Sequence, residues 1–312
     1  MSMTLAFTAS ELCWQRYDCP ATLWVSDKNQ NEGEGEALTS FVNALYKSHG
    51  VNEQASDDTI SSWLTARKNT FFMMVKPLLA RLNDSHGLSS VDLVVLAHWT
   101  HDTIIGHSVT NAVIHEINAQ HAFGIALSDH GISCSWLALS LINDYLDADE
   151  GKAGERTALL LIADQSTALH NSQHLKDISA VPCAGAVLLR SREADSGSAS
   201  DGSFTFRGYQ KVQKSDSRTL FEICAMPERF FTAAESSFPL TILTESRLER
   251  QMTASSMFDN VCVQIWDKTL MSVAPWAQLK HCASPQRRYL FIQEEPDAYR
   301  VAAFFSGQSA CI

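Results

Sequence analysis

Long apolar runs are missing from this chain of 312 residues: none approaches the roughly 18 consecutive residues that span a bilayer. The N-terminal MSMTLAFTASELCWQRYDCP also lacks a basic stretch followed by a long apolar core, so neither an anchor nor an export signal is expected. Clustered positive charge is missing too. The formal charge is −11 and no Lys/Arg group is larger than Arg287-Arg288, which argues against nucleic acid or an anionic membrane surface as partner. The eight cysteines form no CxxC pair and no metal-ligand spacing. Cys134, Cys183, Cys224 and Cys262 lie inside apolar runs, where a thiol behaves as a small hydrophobe, and a reducing cytoplasm is the expected compartment.

What is present is ordinary globular material, 45% hydrophobic and 19% charged, enough for one large domain or two fused halves. One or two strands are expected before Val25, then a polar loop over 26–36. A helical segment follows over 37–46, and two helices or one broken helix over 57–82, with Ser56 or Asp57 as cap. The stripe Phe72, Met73, Val75, Leu78, Leu79 and Leu82 recurs at three and four residues and reads as core. DLVVLAHW is a continuous apolar run of strand length, the pattern of a strand covered on both faces. Helical IIGHSVTNAVIHEI, strand HAFGIAL, helix ISCSWLALSLINDYL and strands TALLLIAD and GAVLLR follow in order. Strands alternating with helices predict a mostly parallel sheet.

The polar stretch 191–203 (SREADSGSASDGS) reads as a connection between halves. Beyond it FTFRGYQKV, RTLFEICAM and PLTIL read as strands, ERFFTAAESS as a short helix and SRLERQMTASSMF as helical. NVCVQIW, helical LMSVAPWAQLKHC and a hairpin turning through Pro296-Asp297 complete the chain. The second half repeats the element order of the first without repeating its residues. The expected fold class is therefore α/β, a thiolase-like fold layered α-β-α-β-α from two pseudo-repeated βαβαβ halves. These halves are residues 1–190, with a helical insertion over about 37–84, and 204–312, a shortened half.

VDLVVLAHWTHD, HAFGIALSDHG, ALSLINDYL, ALLLIADQST and AGAVLLR together resemble the N-terminal half of a β-ketoacyl-acyl-carrier-protein synthase III. VCVQIWDKTLMSVAPWAQLK is similar to a matching segment of the family's second half. In that family a cysteine at a helix N-terminus attacks an acyl thioester, its thiol activated by the helix and a histidine. The resemblance places Gly131 at the nucleophile position when anchored on the strand, and Ile132 when anchored on the helix. Cys134 reaches it only with an insertion of about three residues in the turn, and Trp136 then replaces a glycine.

The family's histidine falls at Leu243-Thr244-Glu245, and its asparagine at Lys268-Thr269-Leu270. Its Gly-rich oxyanion loop falls at Glu294-Glu295-Pro296-Asp297, and another glycine-rich motif at 181–186 (VPCAGA). Neither Thr244 nor Glu245 replaces an imidazole beside a thiolate. The resemblance thus implies a degenerate chain without a catalytic residue of its own, Cys134 being the only nucleophile worth testing. It resembles the non-catalytic subunit of the alkylquinolone-forming condensing enzyme.

The implied partner is a homologous active ketosynthase III-like subunit, in a heterodimer or larger assembly. Acyl-CoA or an acyl carrier would be the substrate at that partner's site, in bacterial quinolone- or polyketide-type secondary metabolism. The other readings are an active CoA-thioester acyltransferase or ketosynthase using Cys134, and a binding protein that keeps an acyl pocket without chemistry.

No cofactor and no metal are expected. His98, His101, Asp102 and His107, and the pair His170 and His174, do not match an HExxH helix, and polar loop residues are the commoner explanation. Asp129-His130-Gly131 beside Ser133 and Ser135 has the composition of a hydrolase triad without a GxSxG elbow. The acidic chain would repel a free acyl carrier protein unless Arg247, Arg250, Arg287 and Arg288 form a local basic patch.

Overall fold

The computed structural model describes residues 3–18, 28–128, 130–147, 155–168, 172–193, 203–214, 223, 227–253 and 261–307. Its strands are β1 (Met3–Thr8), β2 (Leu12–Arg16), β3 (Leu93–Ala97), β4 (Phe123–Leu127), β5 (Thr157–Asp164), β6 (Cys183–Glu193), β7 (Ser203–Gln213), β8 (Leu240–Thr244), β9 (Cys262–Ile265), β10 (Arg287–Glu294) and β11 (Ala298–Ser306). Its helices are α1 (Lys28–Ser48), α2 (Asp57–Ala66), α3 (Phe71–His86), α4 (Val109–Glu116), α5 (Cys134–Asp147), α6 (Gln173–Asp177), α7 (Pro227–Phe230), α8 (Ser246–Thr253) and α9 (Ala274–Cys282).

The strands join in the order β4-β3-β5-β6-β1-β7-β11-β10-β8-β9, with β2 also paired to β6. The repeat inferred from element order is present strand by strand. In the first half β3 is parallel to β4 and β5, while β6 is antiparallel to β5 and β1. In the second, β8 is parallel to β9 and β10, while β11 is antiparallel to β10 and β7. Antiparallel pairing of β1 with β7 joins the two.

Side-chain alternation builds the layers. All of β5 is buried; Ala158, Leu160 and Ile162 pack with Cys134, Trp136 and Leu139 of α5 and Trp276 of α9. Leu159, Leu161 and Ala163 point the other way, to Met74, Leu78 and Leu82 of α3 and Val113 of α4. A strand with helices on both faces needs apolar residues at every position, which is why the run is continuous. In the second half Ile242, Leu290 and Val301 meet Leu248 and Met252 of α8. Two outer helix layers thus enclose two half-sheets with α5 and α9 between them.

The structure differs locally from the sequence reading. The loop expected over 26–36 is helical from Lys28 onward. The expected helix over 104–117 starts only at Val109, where Ser108 Oγ accepts from Asn111 N at 3.3 Å, because Gly106 sits at φ +86° just before it. Polar Ser191 belongs to β6, paired with Leu5, and Ser203 to β7, paired with Thr8; the rest of the expected connection, 194–202, lies outside the described residues. So do the RTLFEICAM strand, apart from buried Ile223, and the second part of SRLERQMTASSMF. ERFFTAAESS contributes only the end of α7 and a 3-10 turn at Glu235–Ser237. A 3-10 turn at Lys268–Val273 takes the front of the helix expected from Leu270, so α9 starts at Ala274. Among the described residues, no helix is long and apolar enough to cross a membrane.

Candidate functional site

β4 runs through a tight turn into α5, and the residue of that turn in left-handed backbone is Gly131, at φ +54°. A short 3-10 turn, Gly131–Ser133, then delivers Cys134 to the first position of the helix. Cys134 is fully buried and its Sγ donates to Leu127 O at 3.2 Å, back toward the strand. Ser133 Oγ likewise donates to His130 O at 2.8 Å; Asp129 lies outside the described residues. Ile132 is buried. A β-carbon at Gly131 would meet only Gln293 Nε2, at 3.6 Å, an ordinary contact. The turn therefore has room for a side chain there and carries none.

The second half builds the same elbow after β9. Asp267 caps the turn, accepting from Thr269 N at 3.0 Å, and Met271 takes φ +45°, ψ −124° ahead of α9. Five residues beyond each left-handed position stands a fully buried indole, Trp136 after Gly131 and Trp276 after Met271. Trp276 Nε1 donates to Ser135 Oγ at 2.8 Å, and Trp136 packs on Trp266 and Phe291 at ring distances of 6.1 and 5.5 Å. The Trp136 indole is thus accommodated by an aromatic cluster, where each ring buries much apolar area.

Among the other positions that the resemblance singled out, Thr244 is fully buried, its Oγ1 donating to Ile292 O at 2.8 Å. Burial pushes the Glu245 carboxyl up, Glu294 adds to this, and Lys268 and Arg247 oppose it. Thr269 O accepts from Val181 N at 3.0 Å, and Cys183 Sγ donates to Leu270 O at 3.1 Å, so the 181–186 segment fastens the second elbow. Burial first, then Asp164, pushes the Cys183 thiol well up, which leaves it inert.

The acidic hairpin is not bare. Glu294 pairs with Lys214 at 2.8 Å and Arg247 at 3.4 Å, Glu295 with Arg300 at 2.6 Å, and Asp297 with Lys211 at 3.5 Å. Among the described residues, only Arg247 of the candidate basic patch is held by a carboxylate; the other three donate to uncharged acceptors. Besides Arg247, Arg250 Nε donates to Ser246 O, Arg287 to Thr241 Oγ1 and Arg288 Nε to Phe238 O.

The histidine-rich segment after β3 is a braced loop. Asp102 Oδ1 accepts from Phe71 N at 3.0 Å and Thr103 N at 2.7 Å, and His98 Nδ1 lies 2.7 Å from Thr100 O. His174 packs edge-on to Trp99, while His170 lies outside the described residues. Among the described residues no group of three His, Cys, Asp or Glu side chains is arranged to hold a metal ion.

Two residues that sequence reasoning did not single out organise this region. Gln293, at the end of β10, is the nearest neighbour of the empty Gly131 position. Asp164, at the end of β5, is fully buried and accepts from Trp99 N, Thr100 N and Ser272 N. A carboxylate ending a continuous apolar run was the available signal for Asp164; nothing marked Gln293.

These paired half-sheets, each feeding a central helix through a left-handed elbow, define a thiolase-like fold. No protein-family model and no curated protein sequence matches the chain. Solved structures of condensing enzymes do match its whole length. ChlB3, described as an acyltransferase, aligns at TM-score 0.60 with 11% identity over 99% of each chain. The 3-oxoacyl-(acyl carrier protein) synthase III of Pseudomonas aeruginosa aligns at 0.56 with 14% identity, covering 97% of this chain and 99% of that one. Germicidin synthase of Streptomyces coelicolor, a type III polyketide synthase, aligns at 0.57 with 10% identity, covering 97% and 100%.

Proposed function

We propose that this chain is a non-catalytic subunit of a heteromeric ketosynthase III-like condensing enzyme, supporting an active homologous partner in bacterial secondary metabolism. The observation that supports the proposal is the elbow before α5, whose two candidate nucleophile positions from the resemblance are left-handed Gly131 and buried Ile132, neither of them nucleophilic. The groups expected to activate a nucleophile are replaced by Thr244, committed to Ile292 O, and by Glu245. Cys134 faces Leu127 O rather than the turn's outer side, which gives no support to the reading in which it attacks a thioester. A thiol that is fully buried is a poor nucleophile.

The sheet edge supports a partner. Among the described residues β4 lies at the end of the strand order, paired with β3 alone, and its sequence FGIAL leaves Phe123 56% exposed. An apolar, unpaired edge is a template for another strand and is ordinarily blunted by charge or proline. Pairing β4 with the corresponding strand of an active homologue would cover it and let the partner keep its own acyl-CoA or acyl-carrier site.

Mixing the chain with an intact ketosynthase III-like protein from the same source is expected to give a stable heteromer by light scattering. Incubation with acyl-CoA should leave its intact mass unchanged. A mass shift abolished by Cys134→Ala, or failure of every such partner to bind, overturns the proposal.

A further inference from the structure

The second edge of the sheet carries a pair of thiols that neither elbow uses. Among the described residues β9 ends the strand order, paired with β8 alone. Its Val263 packs with the layer of α8, so Cys262 and Gln264, on the opposite face of the strand, look toward α9. Two hydrogen bonds fix this arrangement: Gln264 Nε2 donates to Cys262 Sγ at 3.3 Å, and Gln278 Nε2 of α9 donates to Gln264 Oε1 at 3.4 Å. The apolar run around Cys262 suggests a core thiol, but in the structure it is exposed at the edge. Cys13, Cys134 and Cys183, by contrast, are buried.

β9 and β10 are both parallel to β8, so α9, which links them, runs back antiparallel to β9. From the Gln264–Gln278 contact, Cys262 lies two residues back along the strand, about 6.6 Å. Cys282 lies four residues on along the helix, about 6 Å in the same direction and on the same helix face. The two thiols therefore stand at one level between strand and helix. Their coupling agrees: burial first, and the Cys262 sulfur second, push the Cys282 thiol up to about 11. Cys282 is the last residue of α9, Ala283 has already left the helix, and among the described residues the outer side of β9 is unpaired. Both backbones thus have freedom to close to the Cα separation of a disulfide, roughly 4.4–6.8 Å.

We propose that Cys262 and Cys282 are a redox-active dithiol that closes to an intramolecular disulfide by exchange with a small disulfide such as oxidised glutathione. Exposed Cys262, as thiolate, attacks one sulfur of the glutathione disulfide, forming a mixed disulfide and releasing one glutathione thiolate. Cys282 then gives up its proton to solvent and attacks the Cys262 sulfur, and the second glutathione leaves as thiolate. Two electrons pass from the protein dithiol to the oxidant, and two protons end on the two glutathione molecules. Half-buried Cys282 is the slower partner, because its thiol holds its proton at neutral pH. The bond closes a loop that contains the second elbow, and so braces strained Met271 and Trp276 when the surroundings turn oxidising. This chemistry does not depend on the subunit role proposed above.

Peptide mapping by mass spectrometry tests it, on the full folded chain incubated with glutathione disulfide and quenched with N-ethylmaleimide. The wild type is expected to show Cys262 linked to Cys282, reopened by dithiothreitol. Oxidation should also raise the folded-to-unfolded ratio in urea about 10-fold or more. Cys282→Ser should stop at glutathione on Cys262. Cys262→Ser, at an exposed position and so compatible with folding, should slow oxidation of Cys282 at least about 10-fold. Both thiols still reduced after incubation, lasting glutathione on Cys262 of the wild type, or a bond from Cys262 to any other cysteine overturns the proposal. So does oxidation of Cys282 at the wild-type rate in Cys262→Ser, or a urea midpoint that oxidation leaves unchanged.

Discussion

Asp164 and Ser272 stand 108 residues apart in the chain, yet Asp164 Oδ2 accepts from Ser272 N at 3.0 Å, one residue past the strained Met271. The same carboxylate takes Trp99 N and Thr100 N through Oδ1 at 2.7 and 2.9 Å. One buried side chain thus ties the β3 loop of the first half to the elbow of the second. Burial pushes its carboxyl up, while the bonds from Ser272, Thr100 and Trp99 oppose that shift.

Asp164→Ala leaves three buried N–H donors without an acceptor and frees a residue held in a costly conformation. The expected loss is about 3–5 kcal/mol in urea denaturation, with Asp164→Asn costing less because its amide oxygen keeps one acceptor. A loss under about 1 kcal/mol for the alanine variant would show that the clamp is dispensable.

Gly131 is required for its backbone and not for want of space, since the nearest atom to a β-carbon there is 3.6 Å away at φ +54°. Gly131→Ala is therefore expected to cost about 1–2 kcal/mol and to leave the core intact by near-ultraviolet circular dichroism. A much larger loss, with disturbed aromatic signals, would mean that the turn is tightly filled.

The unpaired β4 edge gives a binding prediction. Phe123→Asp, at an exposed position, should leave the monomer folded and weaken association with an active homologous subunit about 100-fold or more. Titration of labelled partner by fluorescence anisotropy measures this. Wild-type affinity in the variant would move the interface elsewhere.

Glu245 yields a pH signature. Its carboxyl lies above the ordinary value of 4.5, chiefly through burial and secondarily through Glu294, so the folded chain holds the proton to higher pH than the unfolded chain. Stability from this group is present in acid and is lost as pH rises from the unfolded value through the folded one. Glu245→Gln should flatten that decline in denaturation midpoints measured from pH 4 upward. A decline as steep as in the wild type would assign it to other groups.

Much of the fold was legible because burial on both faces writes itself as continuous apolar runs. DLVVLA and TALLLIAD are β3 and β5 for this reason, and the spacing of Leu78, Leu79 and Leu82 gave α3. Local chemistry was less reliable where glycine intervened: Gly106 delays α4, yet Gly33 and Gly35 sit within α1. At the candidate site the residue in left-handed backbone is Gly131, one of the two positions, with Ile132, that the resemblance put at the nucleophile's place. The engagement of Glu294, Glu295 and Asp297 by cations between 5 and 86 residues of sequence away, in no regular pattern, had no signature in the linear chain.

By itself the sequence determined the element order and the doubled α/β plan, because these depend on periodicity and on continuous apolar runs. Tertiary structure alone decided that the two elbows are matched by Trp136 and Trp276, that Asp164 ties the β3 loop to the second elbow, and that α1, α2 and the β3 loop line a common cleft. Those relationships arise between segments far apart in the chain, where shape and hydrogen-bond geometry, rather than local propensity, select the partner.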